Sequence, residues 1–401
     1  MHKTLLLSIL LGFIFINSAN AQHKNILIDN NGTPNEPSII INYKNPAQVL
    51  AASNINNYYV STDTGKIWVE DKLSSQYGVW GDPALTVDTN GYFYFFHLST
   101  AEHWIDRIVS QRSEDGGLSW TQDTYMGYFK DKDQDKEWPV VDPATNNIYV
   151  TWTQFDSYGS KDSNDSTHIL FSKSTDAGLT WSDAKRIDQF GGDCVDSDNT
   201  VEGAVPAIGP EGQLYVAWAG PKGLVFDRSY DQGETWMDTD IIINDIPGGW
   251  DFDIEGISRC NGLPVTVCDL SDGPYRGNIY INWTDQRNGE NDTDVWVVKS
   301  EDEGNTWSDP IRVNDDLPGR QQFFTWMTVD QKTGYLYFVF YDRRNYDDQN
   351  TDVYMAVSRD GGESFENFKI SESPFDPNKN VFFGDYTNIS AYDNIVRPIW
   401  T

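Results

Sequence analysis

Positive charge is what this sequence has least of: 29 lysines and arginines stand against 61 aspartates and glutamates in 401 residues, a formal charge of −32 at pH 7. Such a surface repels a polyphosphate backbone or an anionic lipid layer, which argues against nucleic-acid and membrane partners. Long apolar runs are equally scarce. Past the N-terminal stretch, no segment approaches the roughly 20 residues needed to span a bilayer. There is no phosphate loop, dinucleotide fingerprint or Ser-His-Asp order, and His97, Glu102 and His103 share a loop without fitting a zinc signature. Disorder is excluded by what is abundant, since a chain that is 38% hydrophobic and 14% aromatic can bury a core. The length suits two ordinary domains or one large all-β domain.

The single apolar run, Leu5 to Ile16, follows Lys3 and precedes Ala19-Asn20-Ala21. That order of charge, apolar stretch and small-residue cleavage pattern predicts a signal peptide over residues 1–21 and a secreted or periplasmic mature chain beginning near Gln22. Cysteine is rare, with three in the chain. In an oxidising compartment, Cys194, Cys260 and Cys268 predict one disulfide and one leftover thiol, with either Cys194 or Cys268 able to reach Cys260.

Repetition is what the sequence has in quantity. An octapeptide recurs six times, as STDTGKIW from Ser61, SEDGGLSW from Ser113, STDAGLTW from Ser174, SYDQGETW from Ser229, SEDEGNTW from Ser300 and SRDGGESF from Ser358. The spacing fits one four-stranded propeller blade plus loops. Two short strands precede each copy, such as PALTVD and YFYFFH or WMTVD and YLYFVF, and a further pair, YTNISA and NIVRPIW, closes the chain. A third strand leads into each octapeptide and a fourth leaves it, as in DVWVVKS and DPIRVND, giving an antiparallel meander. The N-terminal KNILIDN reads as a fourth strand that could complete the last blade. The count predicts seven blades, with six as the alternative, in one domain over residues 22–401.

The octapeptide resembles the Asp box of the sialidase superfamily. That resemblance implies an all-β, sialidase-like propeller acting on glycans. No cofactor is expected, and the chain is expected to be a monomer. It also implies a structural role for each box: the Asp caps the turn between third and fourth strands, the Gly takes a positive φ and the aromatic residue packs between blades. A box therefore speaks to fold and not to chemistry.

Meander geometry puts the boxes at one end of the ring and the loops leading into the innermost strands at the other. Those loops carry Glu36, Asp82, Glu137, Glu202 and Asp385 at nearly equivalent places. Convergent carboxylates repel one another, which keeps one protonated beside an ionised neighbour, as acid and base catalysis requires. Asp82, Glu137, Glu202, Asp385 and Tyr386 are the candidate catalytic residues, with Asp82 as the acid/base; Tyr386, or alternatively Tyr341, is the candidate nucleophile. Trp80, Trp138, Trp250 and Trp326 sit on the same face and suit stacking against sugar rings. Glu36, Arg259, Arg320 and Arg344 complete the candidate binding set, the arginines because sialidases hold the sugar carboxylate with three of them. Arg287 with Asp285, and Arg344 with Asp342, also read as pairs bracing two near-copied loops.

The sialidase Arg-Ile-Pro motif is absent, with Asn35-Glu36-Pro37 in the comparable stretch. This and the net negative charge argue against an anionic sugar. Acidic runs at Asp131, Asp133 and Asp135, at Asp193, Asp196 and Asp198, and at Asp347, Asp348, Asn350 and Asp352 leave room for structural calcium, though none matches an EF-hand loop. The sequence therefore predicts a secreted sialidase-like glycoside hydrolase, or alternatively a propeller that binds a glycan or protein without catalysis.

Overall fold

Short runs of β-branched and aromatic residues, separated by turn-forming Asn, Gly and Asp, fold locally into hairpins before any long-range contact is needed. In the computed structural model, which describes residues 23–401 apart from Gln122, these hairpins build six four-stranded antiparallel blades over residues 38–72, 81–126, 133–186, 202–244, 265–312 and 322–369. The predicted signal peptide lies outside the described residues, which contain no helix.

Each blade is a meander in chain order, and the innermost strands of successive blades contact one another around the axis. A seventh element, Asn388–Tyr392 paired with Ile395–Ile399, is a two-stranded sheet lodged between the sixth blade and the first. Its side chains close the ring: the backbone N–H groups of Ile39 and Ile41 donate to Asn388 Oδ1 (3.3 Å) and Ser390 Oγ (3.1 Å). The count of seven complete blades is not confirmed. KNILIDN forms no strand, because Asn25 is tied to the segment leaving the sixth blade, donating to the Ile370 carbonyl (2.9 Å) and accepting from Glu372 N–H (2.7 Å).

The core lies between blades. Trp152, Trp218 and Trp283, one from each of three consecutive second strands, are fully buried. At the outer ends, six copies of one turn repeat with little variation. In each octapeptide the Ser hydroxyl accepts from the Gly N–H at 2.8–2.9 Å, and the Asp carboxylate accepts from the N–H four residues on at 2.7–3.0 Å. The Gly φ lies between +77° and +92° in all six, a region that costs a side-chain-bearing residue strain. Trp181, Trp236 and Trp307 pack edge-on against Phe96, Phe171 and Phe226 of the preceding blade.

No disulfide forms. Cys194, Cys260 and Cys268 are free and buried. Cys260 packs with Phe323 and Val353, whereas Cys268 packs with Tyr215 and Trp283, so different inter-blade layers hold them apart.

Candidate functional site

At the end opposite the octapeptide turns, four inner strands enter the sheet through a β-bulge. The ladder skips between Gly81 and Ala84, Asp135 and Trp138, Glu202 and Val205, and Phe323 and Trp326. One bulged residue in each has positive φ: Asp82 (50°), Lys136 (55°), Gly203 (77°) and Phe324 (49°). Glu36, just ahead of the first inner strand, shares the conformation (50°). For a residue other than glycine this costs about 1–3 kcal/mol, and bulges beside functional sites serve to re-aim a side chain. Here they turn side chains from neighbouring blades toward one another.

The ladder also sets the equivalences. Ala84, Trp138, Val205 and Trp326 are the first residues to pair again after each bulge, so Asp82, Lys136, Gly203 and Phe324 occupy corresponding places. Glu137 and Glu202 flank that position instead of filling it. Lys136 is the functional candidate that sequence reasoning missed: counting back from proline, as Glu36-Pro37 and Asp82-Pro83 invite, passes over it, whereas counting back from the resumed ladder finds it.

Lys136 Nζ donates to Asp385 Oδ2 at 2.7 Å and stands 3.8 Å from Asp82 Oδ2. Arg259 engages both oxygens of Asp385, through Nε at 2.9 Å and through its second terminal nitrogen, while its other terminal nitrogen reaches Asp196 at 3.1 Å and the Tyr158 hydroxyl at 3.3 Å. Asn261 donates to the Asp385 carbonyl (2.9 Å), fixing the backbone beneath. On the far side, Asn54 accepts from Asp82 N–H (2.8 Å) and donates to Glu36.

Charge is divided unequally across this cluster. Burial works against ionising Asp385, but Lys136 and Arg259 overcome it and hold the carboxyl at about 2. Burial likewise opposes the charge on Lys136, and Asp385, Asp135 and Asp82 outweigh it, so the ammonium is retained. Three glutamates go the other way. Burial, reinforced by Asp82 and Asp385, pushes Glu36 well above the usual carboxylate range, and it shares a hydrogen bond with Asp82. Burial and the charge of Asp82 raise Glu137; burial and Asp196 raise Glu202. Neither Glu137 nor Glu202 has a protein hydrogen-bond partner for either carboxyl oxygen. Asp135 is raised by burial to about 7. The arrangement sets proton-bearing acids beside an anion clamped by two cations, a separation suited to proton transfer at a polar substrate.

Tyr386 lies against Trp138 (5.1 Å between ring centroids), which in turn meets Trp326 (4.4 Å). These three rings join the third and sixth blades to the closing hairpin and form a floor under the polar cluster. Burial, with Asp82, Glu36 and Glu137 nearby, pushes the Tyr386 phenol well above its ordinary value, and its hydroxyl is unpartnered. It is held as a hydrogen-bond donor, not as a phenolate. A cavity of about 20 Å³, room for little more than one water, touches Lys136, Asp385, Tyr386 and both tryptophans.

Of the residues predicted from sequence, the structure brings Glu36, Asp82, Glu137, Glu202, Asp385, Tyr386, Trp138, Trp326 and Arg259 into this one region. Trp80 stands nearby, 44% exposed and edge-on to the exposed Trp104 (6.4 Å). Trp250 is buried with its indole N–H on the Thr200 carbonyl (3.1 Å), so its ring is packing and not an open platform. Arg320 and Arg344 do not join Arg259. Arg320 pairs with Asp347, and Arg344 is held at the root of its own loop by Asp342 (2.9 Å), as Arg287 is by Asp285 (2.9 Å). Tyr341 is buried, accepting from Thr401 N–H (3.0 Å). Members of the acidic runs engage protein partners: Asp133 accepts from Tyr158 N–H, and Asp196 faces Arg259. Among the described residues, no group of three or more His, Cys, Asp or Glu is placed to hold a metal.

No protein-family model matches the chain, and no curated protein sequence does. Solved structures do. The NanB sialidase from Streptococcus pneumoniae is similar over 88% of this chain and 80% of its own, at 10% identity and a TM-score of 0.52. A polysaccharide lyase, the PL25 ulvan lyase, is similar over 90% and 87%, at 13% identity and a TM-score of 0.53. A protein of unknown function from Dyadobacter fermentans covers 78% and 91%, at 14% identity and a TM-score of 0.50. At such identities the likeness is one of fold: a β-propeller of the kind found in sialidases and in a polysaccharide lyase.

Proposed function

We propose that the chain is a secreted or periplasmic glycoside hydrolase that cleaves a glycan lacking sialic acid at the axial mouth of the propeller. The observation that carries this reading is the convergence of Glu36, Asp82, Lys136, Asp385 and Arg259 from separate parts of the ring, with strained positive-φ backbone at Glu36, Asp82 and Lys136. Such strain persists where the surrounding structure enforces a particular placement. Asp82, partly exposed and beside Glu36, whose carboxyl burial raises well above the usual range, is the acid/base; Lys136 and Arg259 orient hydroxyls through the Asp385 anchor. The absence of Arg320 and Arg344 from the cluster, and the pairing of Arg259 with two aspartates, leave no free arginine trio for a sugar carboxylate. That the fold resembles a sialidase and an ulvan lyase supports a carbohydrate partner.

A hydrolysis screen on sialosides and on neutral oligosaccharides and polysaccharides tests the proposal. Turnover of a neutral glycan is expected, with Asp82→Asn lowering it by about 10²–10⁴ in kcat at unchanged Tm, the range that one general acid supplies. Undiminished turnover in that variant removes Asp82 from the mechanism. A second reading, a propeller that binds glycan without cleaving it, draws on the narrow cavity at the cluster; binding without turnover across the screen would establish it.

A further inference from the structure

Ser166 and His168 stand at the start of the third strand of the third blade, Thr167–Ser174, and Asp188 follows its fourth strand, Lys185–Arg186. Along an extended chain, side chains two apart share one side, so these two meet: Ser166 Oγ lies 3.1 Å from His168 Nε2. The other ring nitrogen, Nδ1, lies 3.1 Å from Asp188 Oδ2. No such order stood out in the sequence, because the pairing of Leu170 with Arg186 is what carries Asp188 to the imidazole.

Each link of this line is held in place. Asp188 is buried; its Oδ1 accepts from Ile169 N–H (2.8 Å) and its Oδ2 from Arg186 Nη2 (3.0 Å). Facing that acceptor, Nδ1 carries the imidazole proton and Nε2 keeps a lone pair toward Ser166. Backbone closes over the ring as well: a Cβ on Gly191 would come within 2.6 Å of His168 Cε1, so glycine permits the approach. Exposure grows along the line, from 0% of the Asp188 side chain to 18% of the His168 side chain and a half-buried Ser166. Arg186 Nη1 stands 3.4 Å from Nε2, while Nε and Nη2 of the same guanidinium are anchored on Asp188. Ser166 Oγ has a second acceptor in Asp156 Oδ2 (3.0 Å), which also takes the Ser166 N–H (2.9 Å) and pairs with Lys132. Rotation about one side-chain bond moves the hydroxyl proton from Asp156 to Nε2.

We propose that Ser166, His168 and Asp188 form a second site, one that hydrolyses short-chain carboxylic esters. This site shares no residue with the axial cluster and stands whether or not the mouth cleaves glycans. A bond forms between Ser166 Oγ and the ester carbonyl carbon as the hydroxyl proton passes to Nε2, and the carbonyl electron pair moves onto oxygen, where Arg186 Nη1 faces the charge. Collapse breaks the bond to the alcohol oxygen, and the alcohol leaves with the proton from Nε2. Water then attacks the acyl-serine by the same route, releasing the carboxylic acid and restoring Ser166. Ser166, His168 and Arg186 are the catalytic residues; Asp188 is a positioning residue that fixes the imidazole tautomer. With Asp156, Lys132 and Arg186 around the hydroxyl, the surroundings favour a short acyl group over a fatty one.

A fluorophosphonate probe and the p-nitrophenyl esters of acetate and butyrate, applied to the full chain, provide the test. One adduct is expected, mapped by peptide mass to Ser166, together with turnover of at least one ester. Ser166→Ala should remove the adduct and lower turnover about 10²-fold or more, and His168→Asn should slow both to a similar degree. Asp188→Asn should lower kcat while KM stays within about twofold, a split that a merely structural carboxylate would not produce. No adduct, an adduct on another residue, ester turnover that survives Ser166→Ala, or an adduct on Ser166 without turnover of either ester overturns the ester site. Labelling of the unaltered chain needs no substitution, so a variant that fails to fold does not obscure the result.

Discussion

The two ends of the propeller use the same side chain in opposite ways. At the octapeptide end, aspartates such as Asp176 and Asp231 are exposed to solvent, fully engaged by backbone N–H groups and hydroxyls, and held below their ordinary range, Asp231 at about 2. At the axial mouth, Glu137 and Glu202 are buried, unpartnered and raised by desolvation. A carboxylate serving the fold is satisfied and interchangeable among six copies. Those at the mouth are individual, and their environments cost stability. That inequality, more than the likeness to any other propeller, is what supports the proposal of a functional site at the mouth.

The sharpest way to break the comparison is to remove the one mouth carboxylate that is fully paired. Asp385→Asn strands Lys136 and Arg259 in a buried site, and losing one partner of such a network costs about 3–5 kcal/mol. We expect a large fall in the denaturation midpoint at pH 7. Because Lys136 and Arg259 depress Asp385 from 3.8 to about 2, its contribution is present above the unfolded value and fades as pH falls from about 4 toward 2. Wild type and variant should therefore converge on acidification; a gap that stays constant down to pH 2 would show that ion pairing is not its source.

Glu137 and Glu202 should respond to pH with the opposite sign. Their folded values lie above the unfolded one, so the native state binds the proton more tightly and stability declines as pH rises above the ordinary carboxylate range. Glu137→Gln and Glu202→Gln remove the ionisation and keep the shape. Each should flatten the decline that sets in as pH rises above the ordinary carboxylate range, with a gain on the order of 1 kcal/mol at the alkaline end, the scale of one buried unsatisfied group. Parallel curves for wild type and variants would place these carboxyls in water.

Much of this was legible in the chain. The hairpins and the octapeptide turns follow from local chemistry: Ser, Asp and Gly at fixed offsets can satisfy one another in only one compact turn, whatever surrounds them. The region of the mouth was legible too, since meander geometry sorts loops to one end or the other. What escaped was register within that region. A β-bulge adds a residue to one strand without leaving a compositional trace, so Glu137 read as the equivalent of Asp82 when Lys136 holds that place. The arginines escaped for a related reason: Arg344 and Arg320 have the right chemistry, but acids at Asp342 and Asp347 claim them first. Cys260 and Cys268 are eight apart in sequence yet pack into different layers, which spacing cannot reveal.

The smallest effect should come from the octapeptide end. In Asp176→Ala the third blade loses bonds from Thr180 N–H (2.9 Å), the Thr180 hydroxyl (2.6 Å) and the Ser174 hydroxyl (2.8 Å). Solvent replaces much of what is lost at this exposed turn, so the cost should be about 1 kcal/mol, as for a missing helix cap. Glycan turnover should not change, because the turn lies at the opposite end of the blade from Lys136. Asp176→Asn, which keeps one acceptor oxygen, should recover part of the stability. If Asp176→Ala instead reduced turnover while Tm held, the two ends would be coupled, and the division between fold and function drawn here would fail.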